Sequence, residues 1–231
     1  ISMNYFMLQS KRRNVGDAIM DHVEAKARME EIQRIMERAT LWTLLLGTAA
    51  VVGGILVLAG CGVSYWMTRS LDFAAMLDLS VSQQVLFCVM WFAIGVAGVL
   101  LETLLTARSA RKQGMSPTIR SARVAAFSLA PSVVVAMVLT VKFLIPPLPR
   151  PEEIQYIVPV WMMLYGTGVY TAGLFSIRAP RVLGLVFLAF GIVALMGLPQ
   201  YGVVTAALSF GLLHIVFGWY ILGKQRQGLE S

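Results

Sequence analysis

The sequence predicts an all-α polytopic membrane protein with six transmembrane helices, preceded by a cytoplasmic amphipathic helix. Hydrophobic residues make up 58% of the 231 residues and charged residues only 13%, whereas soluble domains are about 45–50% apolar and about 25% charged. The mean hydropathy is +0.73, and the charges are concentrated before residue 41 and in short segments between apolar stretches. This pattern excludes a disordered chain, a disulfide-rich secreted domain and an ordinary cytosolic enzyme.

The chain is predicted to have three parts: a cytoplasmic segment over 1–40, a six-helix bundle over 41–222 and a cytoplasmic tail over 223–231. Residues 18–40 contain no Gly or Pro and are rich in strong helix formers, and Asp17 is a suitable N-cap. We therefore expect a helix there. The short apolar stretch near the N-terminus is followed, not preceded, by basic residues, so we expect no cleavable signal peptide.

Apolar residues of this first helix are spaced 4-3-4-3 and form a narrow seam: Ala25, Met29, Ile32, Met36 and Ala39. One interpretation is that the seam packs on the protein's own cytoplasmic loop or on the membrane surface. The other is a short coiled-coil contact between subunits through Met29, Ile32 and Met36. The sequence leaves both open.

Six apolar stretches are long enough to cross a bilayer, because a hydrocarbon layer about 30 Å thick requires about 20 residues of helix. They run from about Leu41 to Trp66, Val81 to Thr106, Val124 to Ile145, Tyr156 to Ile177, Val182 to Leu198 and Gly202 to Leu222. They are too long and too uniformly apolar for the strands of a membrane β-barrel. The fifth stretch has 17 residues and is predicted to be the shortest helix.

The distribution of basic residues predicts the orientation. With six spans, 16 of the 19 Lys and Arg residues fall on the side of the two termini, and only Arg69, Lys142 and Arg150 fall on the other. The positive-inside rule then places both termini in the cytoplasm, and we expect a bacterial inner-membrane protein. The net charge of +7 is interpreted as topology together with attraction to anionic membrane lipids. No basic aromatic platform or recognition helix favours nucleic-acid binding.

Ionisable residues within apolar spans are the default candidates for a functional site, because charge is costly in lipid. His214 lies near the middle of the sixth span, Glu102 near one end of the second and Lys142 near one end of the third. Lys142 can extend to the headgroups, and Glu102 can reach the interface or pair with an arginine. His214 cannot reach water in this way, but it can form a hydrogen bond with a Tyr or Thr of another helix.

Two further polar residues, Ser132 and Tyr165, are predicted at a depth similar to that of His214. If the three face one interior, they form a polar cluster able to hold a ligand, an ion or water. If they do not, each is a local hydrogen-bonding residue. Pro131 is expected to kink the third span and to free a carbonyl that Ser132 could satisfy.

Small residues are expected to mediate helix packing. The patterns Ala49-x-x-x-Gly53 and Ala50-x-x-x-Gly54 predict close helix approach in the first span. Gly166, Gly184 and Gly191 predict the same in the fourth and fifth spans.

Cys61 and Cys88 are predicted at matched depth on consecutive helices. Either a disulfide or two free thiols is compatible with this placement. Free thiols are favoured, because unpaired Cys is a common small apolar residue in protein interiors.

No motif predicts catalysis or a cofactor: nucleophile elbows, paired zinc ligands, phosphate loops and dinucleotide fingerprints are all lacking. The only two histidines, His22 and His214, are far apart in the sequence. We therefore expect no catalytic residues, no metal site, no cofactor and no enzymatic activity.

The segments Glu31–Thr40 and Ala207–Gly218, and the stretch Leu164–Gly191, resemble a family of six-span bacterial membrane proteins that has no established activity. The resemblance implies an inner-membrane protein whose gene often neighbours a winged-helix regulator. It implies no role for any individual residue.

Three functions are compatible with these observations. The leading hypothesis is a non-enzymatic membrane protein with an accessory, sensory or regulatory role. The second is a small transporter or channel with a midplane polar site around His214 and Tyr165, to which Ser132 and Glu102 are further candidates. The third is an intramembrane enzyme with His214 as base, for which the sequence offers no credible nucleophile or metal ligands.

Overall fold

The computed structural model describes residues 26, 28–29, 47–112, 120–144, 151–174 and 178–229. The chain divides into two units, Ile1–Trp42 and Thr43–Ser231. In the first unit Lys26, Arg28 and Met29 are helical. The rest of the predicted amphipathic helix, including Ile32 and Met36, lies outside the described residues, so the seam stays a prediction.

The described part of the second unit is almost entirely helical and contains no β-strand, which confirms the all-α class. Its α-helices are α1 (Gly47–Thr68), α2 (Val81–Lys112), α3 (Arg120–Leu144), α4 (Pro151–Ile154), α5 (Ile157–Gly173), α6 (Arg178–Gly197), α7 (Gly202–Ala206) and α8 (His214–Leu229). A π-helical segment, Ala207–Leu213, joins α7 to α8. Two 3-10 helices, Phe73–Asp78 and Pro199–Tyr201, lie in the connections.

Among the described residues, five helices are long and apolar enough to cross a membrane, which is compatible with an integral membrane protein. These candidate spans are Gly47–Thr68, Val81–Leu101, Phe127–Leu144, Arg178–Gly197 and Pro199–Lys224. Helix α5, which corresponds to the predicted fourth span, has 17 residues and is not among them. The six-span count therefore remains a prediction.

The prediction that the fifth span is the shortest is wrong. Its helix, α6, has 20 residues and begins at Arg178, four residues before the predicted start. The apolar stretch does not include this first turn, where Pro180 is tolerated because the first N–H groups of a helix have no partner within it. Helix α5 is the shorter one and ends at Gly173, where the Arg181 Nε donates a 2.7 Å hydrogen bond to the Gly173 carbonyl.

Helices α1 and α8, with the π-helical segment that precedes α8, are in direct backbone contact. A Cβ atom added at Gly54 would lie 2.6 Å from the carbonyl oxygen of Gly211, and one added at Gly47 would lie 3.0 Å from that of Gly218. The two glycines of each helix are seven residues apart. The two antiparallel helices thus contact each other at paired glycines. Because glycine has no side chain, the backbones can approach closely, and this close packing stabilises helix pairs in membranes.

Helices α5 and α6 repeat this arrangement. A Cβ atom added at Gly166 would lie 2.8 Å from the Gly184 carbonyl oxygen, and one added at Gly191 would lie 3.0 Å from the backbone nitrogen of Met163. The predicted close packing at Gly166, Gly184 and Gly191 is therefore confirmed.

In α1 the predicted close approach is confirmed at Gly54 and is wrong at Gly53. A Cβ atom at Gly53 would meet nothing within 4 Å, whereas one at Gly54 would clash. Seven residues are close to two helical turns. The glycines that pack, Gly47 and Gly54, therefore share one face, and Gly53 lies off it.

The core lies among α1, α5, α6 and the α7–α8 region, and α2 and α3 are peripheral. Only 6% of the candidate span of α2 or α3 is buried, compared with 28–39% for the other three spans. Helix α2 packs on α1 through a 3.0 Å hydrogen bond from Trp91 Nε1 to Ser64 Oγ. Helix α3 packs on α5 through a 2.7 Å hydrogen bond from Trp161 Nε1 to Thr140 Oγ1.

Cys61 and Cys88 are both free thiols, which is the alternative that the sequence favours. Cys61 is buried and Cys88 is half-buried. Their matched depth stays a prediction.

One end of the bundle is covered by short helices and is called the capped end. It consists of α4 and the 3-10 helices Phe73–Asp78 and Pro199–Tyr201. The 3-10 helix Phe73–Asp78 contacts both of the others. The carboxylate of Asp72 accepts a 2.8 Å hydrogen bond from the Ala74 N–H and caps the first 3-10 helix. The N–H of Val203 donates a 3.0 Å hydrogen bond to the Leu71 carbonyl and attaches this end to α7.

Substituting Gly54 by Ala is expected to lower the free energy of unfolding in detergent by about 1–3 kcal/mol, because its Cβ would overlap the Gly211 carbonyl. Gly53→Ala is the matched control. It changes the helix propensity by the same amount as Gly54→Ala, but a Cβ atom added at Gly53 meets no atom within 4 Å. Thermal unfolding of the two variants measures the difference. Equal melting temperatures would contradict the backbone contact.

Candidate functional site

Four rings from three parts of the bundle meet and form the ring cluster: Tyr165 on α5, Phe187 on α6, and Phe210 and His214 on the continuous stretch of the π-helical segment and α8. The centroid of Phe187 lies 5.0 Å from that of Tyr165, 5.0 Å from that of Phe210 and 5.1 Å from that of His214. Phe187 is completely buried. It is therefore the centre around which the other three rings pack.

The imidazole of His214 has a hydrogen-bonding partner at each nitrogen. Its Nε2 lies 2.8 Å from the hydroxyl oxygen of Tyr165, and its Nδ1 lies 3.4 Å from the carbonyl oxygen of Ser209. A carbonyl can only accept, so this network assigns the proton of the neutral ring to Nδ1. Nε2 then accepts a hydrogen bond from the Tyr165 hydroxyl.

The carbonyl that accepts from the imidazole belongs to the π-helical segment. Ser209 lies five residues before His214, and its carbonyl faces the Nδ1 atom of that side chain. Gly211, within the same segment, faces Gly54 on α1. One short stretch therefore provides both the close backbone contact and the partner of the imidazole.

Of the predicted site residues, the structure brings Tyr165 and His214 together and places Ser132 elsewhere. Ser132 lies against α5 at Gly168, where an added Cβ would be 3.2 Å from both its Cβ and its Oγ. Lys142 is exposed in the last turn of α3. Glu102 belongs to α2, one residue beyond the candidate span, and its side chain lies outside the described part of the chain.

Four residues of this region are not among the sequence predictions: Phe187, Phe210, Thr205 and Ser209. The hydroxyls of Thr205 and Ser209 lie one helical turn apart in an otherwise apolar span, and Ser209 precedes His214 by five residues. This spacing is the signal that could have identified them. Phe210 is four residues before His214, which places both rings on one helical face.

The cluster has the chemistry of a hydrogen-bonded core with a single basic group. Its other contacting groups are the phenol of Tyr165 and two phenylalanine rings. Across the described side chains, no group of three His, Cys, Asp or Glu residues is placed to hold a metal ion.

Comparison with known proteins found no matching family model, no matching curated protein and no matching solved structure. The resemblance to the six-span bacterial family therefore stays a prediction.

A double-mutant cycle between Tyr165→Phe and His214→Phe is expected to give a coupling free energy of about 1 kcal/mol. Interhelical hydrogen bonds in membranes contribute about this much free energy. Each single substitution leaves the other polar side chain without its hydrogen-bonding partner, and the cycle isolates the energy of the pair. Denaturant unfolding in mixed micelles measures the four stabilities. Strictly additive effects would contradict the hydrogen bond between the two rings.

Proposed function

We propose that the protein is a non-enzymatic integral membrane protein with an accessory, sensory or regulatory role. The observation that supports this best is the ring cluster. The one ionisable side chain near the middle of its span, His214, is held by Tyr165 and by the Ser209 carbonyl, with phenylalanine rings around it. Such a satisfied polar pair fixes the relative position of α5 and α8, whereas a transport pathway requires a polar surface that a solute can reach.

A transporter or channel centred on His214 and Tyr165 is the second candidate. It is favoured by the π-helical segment directly before His214, because π-helical turns occur frequently at functional sites. Ser132 and Glu102 are less suited to such a site, since Ser132 packs on Gly168 and Glu102 follows the end of the α2 span.

We further propose that α5 also crosses the membrane, as the predicted fourth span, which brings the number of spans to six. Its 17 residues correspond to about 25 Å of helix, near the lower limit for crossing the hydrocarbon layer. It packs against the candidate span α6 from the Gly191–Met163 contact at one end to the Gly173–Arg181 contact at the other. A helix that accompanies a spanning helix over this length crosses the same layer.

With six spans, the charge asymmetry supports a bacterial inner-membrane location with both termini in the cytoplasm. Membrane lipids are then the partners of the apolar faces of α2 and α3. Self-association through Met29, Ile32 and Met36 is a further part of this proposal, because the 4-3 spacing of these residues is typical of coiled-coil contacts.

Purified protein in sealed liposomes is expected to show no ion or solute flux above that of protein-free vesicles, either as wild type or as His214→Ala. The matched control is Tyr220→Ala, which removes an exposed ring of the same helix. Entrapped pH-sensitive and ion-sensitive dyes measure the flux. Flux in the wild type that disappears in His214→Ala, but not in Tyr220→Ala, would overturn the accessory role in favour of transport.

Reporter fusions that are active only in the cytoplasm are expected to be active at both the N- and the C-terminus of the full-length chain, since an even number of spans returns the chain to its starting side. A fusion in the connection between α6 and α7, near Gln200, is expected to be inactive. Activity at only one terminus would show an odd number of crossings and would rule out α5 as a span.

A further inference from the structure

The end of the bundle opposite the capped end is called the basic end. Helices α2 and α8 end there, and α6 begins there. The charged side chains that the structure describes at this end are all basic: Arg108, Arg178, Arg181 and Lys224. At the capped end the described carboxylates outnumber the basic side chains: Asp72, Asp78, Glu152 and Glu153 against Arg69 and Lys142. The described part of the basic end is therefore complementary to a partner that carries negative charge.

Helix α8 turns two aromatic rings outward at the basic end. Gly218 and Ile221 are buried, with Gly218 against Gly47 of α1. The side chains of Trp219 and Tyr220 are instead 68% and 52% exposed. An indole and a phenol that are exposed at the end of a span are typical of the boundary between membrane and water, because each joins an apolar ring to a polar group.

The position of these rings along the helix agrees with the thickness of a bilayer. Tyr220 follows Tyr201, an exposed ring at the capped end, by 19 residues. Both belong to one candidate span, Pro199–Lys224, and 19 residues of helix extend about 28 Å. The hydrocarbon layer is about 30 Å thick. With Tyr201 at one boundary of this layer, Tyr220 lies at the other, and Lys224 lies one turn farther, at the level of the headgroups.

The ammonium group of Lys224 lies over the ring of Tyr220. Its Nζ is 5.3 Å from the ring centroid, within the distance of about 6 Å at which a ring attracts a cation. A lysine ammonium has three donors, and the ring contacts it from one side only. The contact therefore holds the charge at the level of the headgroups and leaves donors for an anionic ligand.

We propose that Lys224, Tyr220 and Trp219 form a binding site for an anionic phospholipid in the leaflet at the basic end. The ammonium binds the phosphate, Tyr220 positions the ammonium, and Trp219 lies beside the glycerol region of the same lipid. An anionic lipid is preferred to a zwitterionic one, because its headgroup has no cation of its own that competes with Lys224. The inference rests on the proposed membrane location and is independent of the accessory role.

The test measures which phospholipid lies beside Trp219. Full-length protein is placed in lipid nanodiscs that contain, as a minor component, either brominated phosphatidylglycerol, which is anionic, or brominated phosphatidylcholine, which is zwitterionic. Bromine quenches indole fluorescence at short range, and subtraction of the signal of Trp219→Phe isolates the contribution of Trp219. The wild type is expected to prefer phosphatidylglycerol. Lys224→Gln is expected to lower this preference about fivefold, the effect of one lysine at an anionic surface, and Lys224→Arg is expected to retain it.

The matched control is Lys142→Gln, which removes an exposed lysine from the last turn of α3, at the capped end. It is expected to leave the preference at the wild-type value. Tyr220→Leu is expected to lower the preference about threefold, because the loss of an exposed cation–π contact has this size. Inorganic phosphate is expected to have the same effect as chloride at equal ionic strength.

Equal quenching by the two lipids in the wild type would overturn the site, as would an unchanged preference in Lys224→Gln or an equal loss in Lys142→Gln. A preference that is lost in inorganic phosphate but kept in chloride would assign the ammonium to free phosphate and would also overturn the lipid site. These outcomes are distinct from a failure of the proposed role. Flux in liposomes would remove the accessory role and leave the site intact, because Tyr220 and Lys224 lie on the outer face of α8.

Discussion

The close contact between glycine backbones is the constraint on which the rest of the bundle depends. In lipid, helices do not gain from hiding apolar surface from water, so association depends on tight packing and on interhelical hydrogen bonds. Gly54 against Gly211, and Gly166 against Gly184, bring helix backbones to within a distance that any side chain would prevent. The large rings then fill the space between these two glycine-paired sets of helices.

The ring cluster is the consequence of this packing. Tyr165 directly precedes Gly166, and Phe210 directly precedes Gly211, so each close contact places an aromatic ring beside it. The hydrogen bond between Tyr165 and His214 restricts the relative orientation of their two helices, because hydrogen bonds are directional and the packing of apolar rings is not. A polar pair in an apolar interior adds little stability on average, but it specifies which helices meet and in which register.

The sequence was sufficient for the features that depend on hydropathy and residue type. The apolar stretches identified the long helices, and α2 begins at Val81 as predicted. The interhelical hydrogen bond of His214 was one of two stated interpretations, because a buried imidazole requires partners. The sequence left open whether Ser132 faces the same interior as His214, because depth along a helix does not determine the face on which a residue lies. That face is set here by the contact with Gly168.

Other features could not be predicted from composition. The π-helical segment over Ala207–Leu213 has the same apolar character as its neighbours, so hydropathy does not distinguish it from them. The 3-10 helix Phe73–Asp78 lies in a connection with mixed polarity, and it is ordered by packing, with Phe73 against Phe87 at a 5.6 Å centroid distance. The 4-residue spacing in α1 suggested both Gly53 and Gly54, and only Gly54 packs. Small residues alone do not reveal which face a distant helix will cover.

The pairing of α1 with α8 joins the first and the last candidate spans of the described chain, and it determines the order in which this protein can assemble. Ribosomal synthesis releases α1 long before Gly211 and Gly218 exist, so its glycine face must wait in lipid without its partner while the intervening helices insert. Contacts between such distant segments form late, because the loop that they close is long. The glycine contacts between α1 and α8 are therefore completed only after α8 has entered the membrane, later than contacts among the helices that precede it.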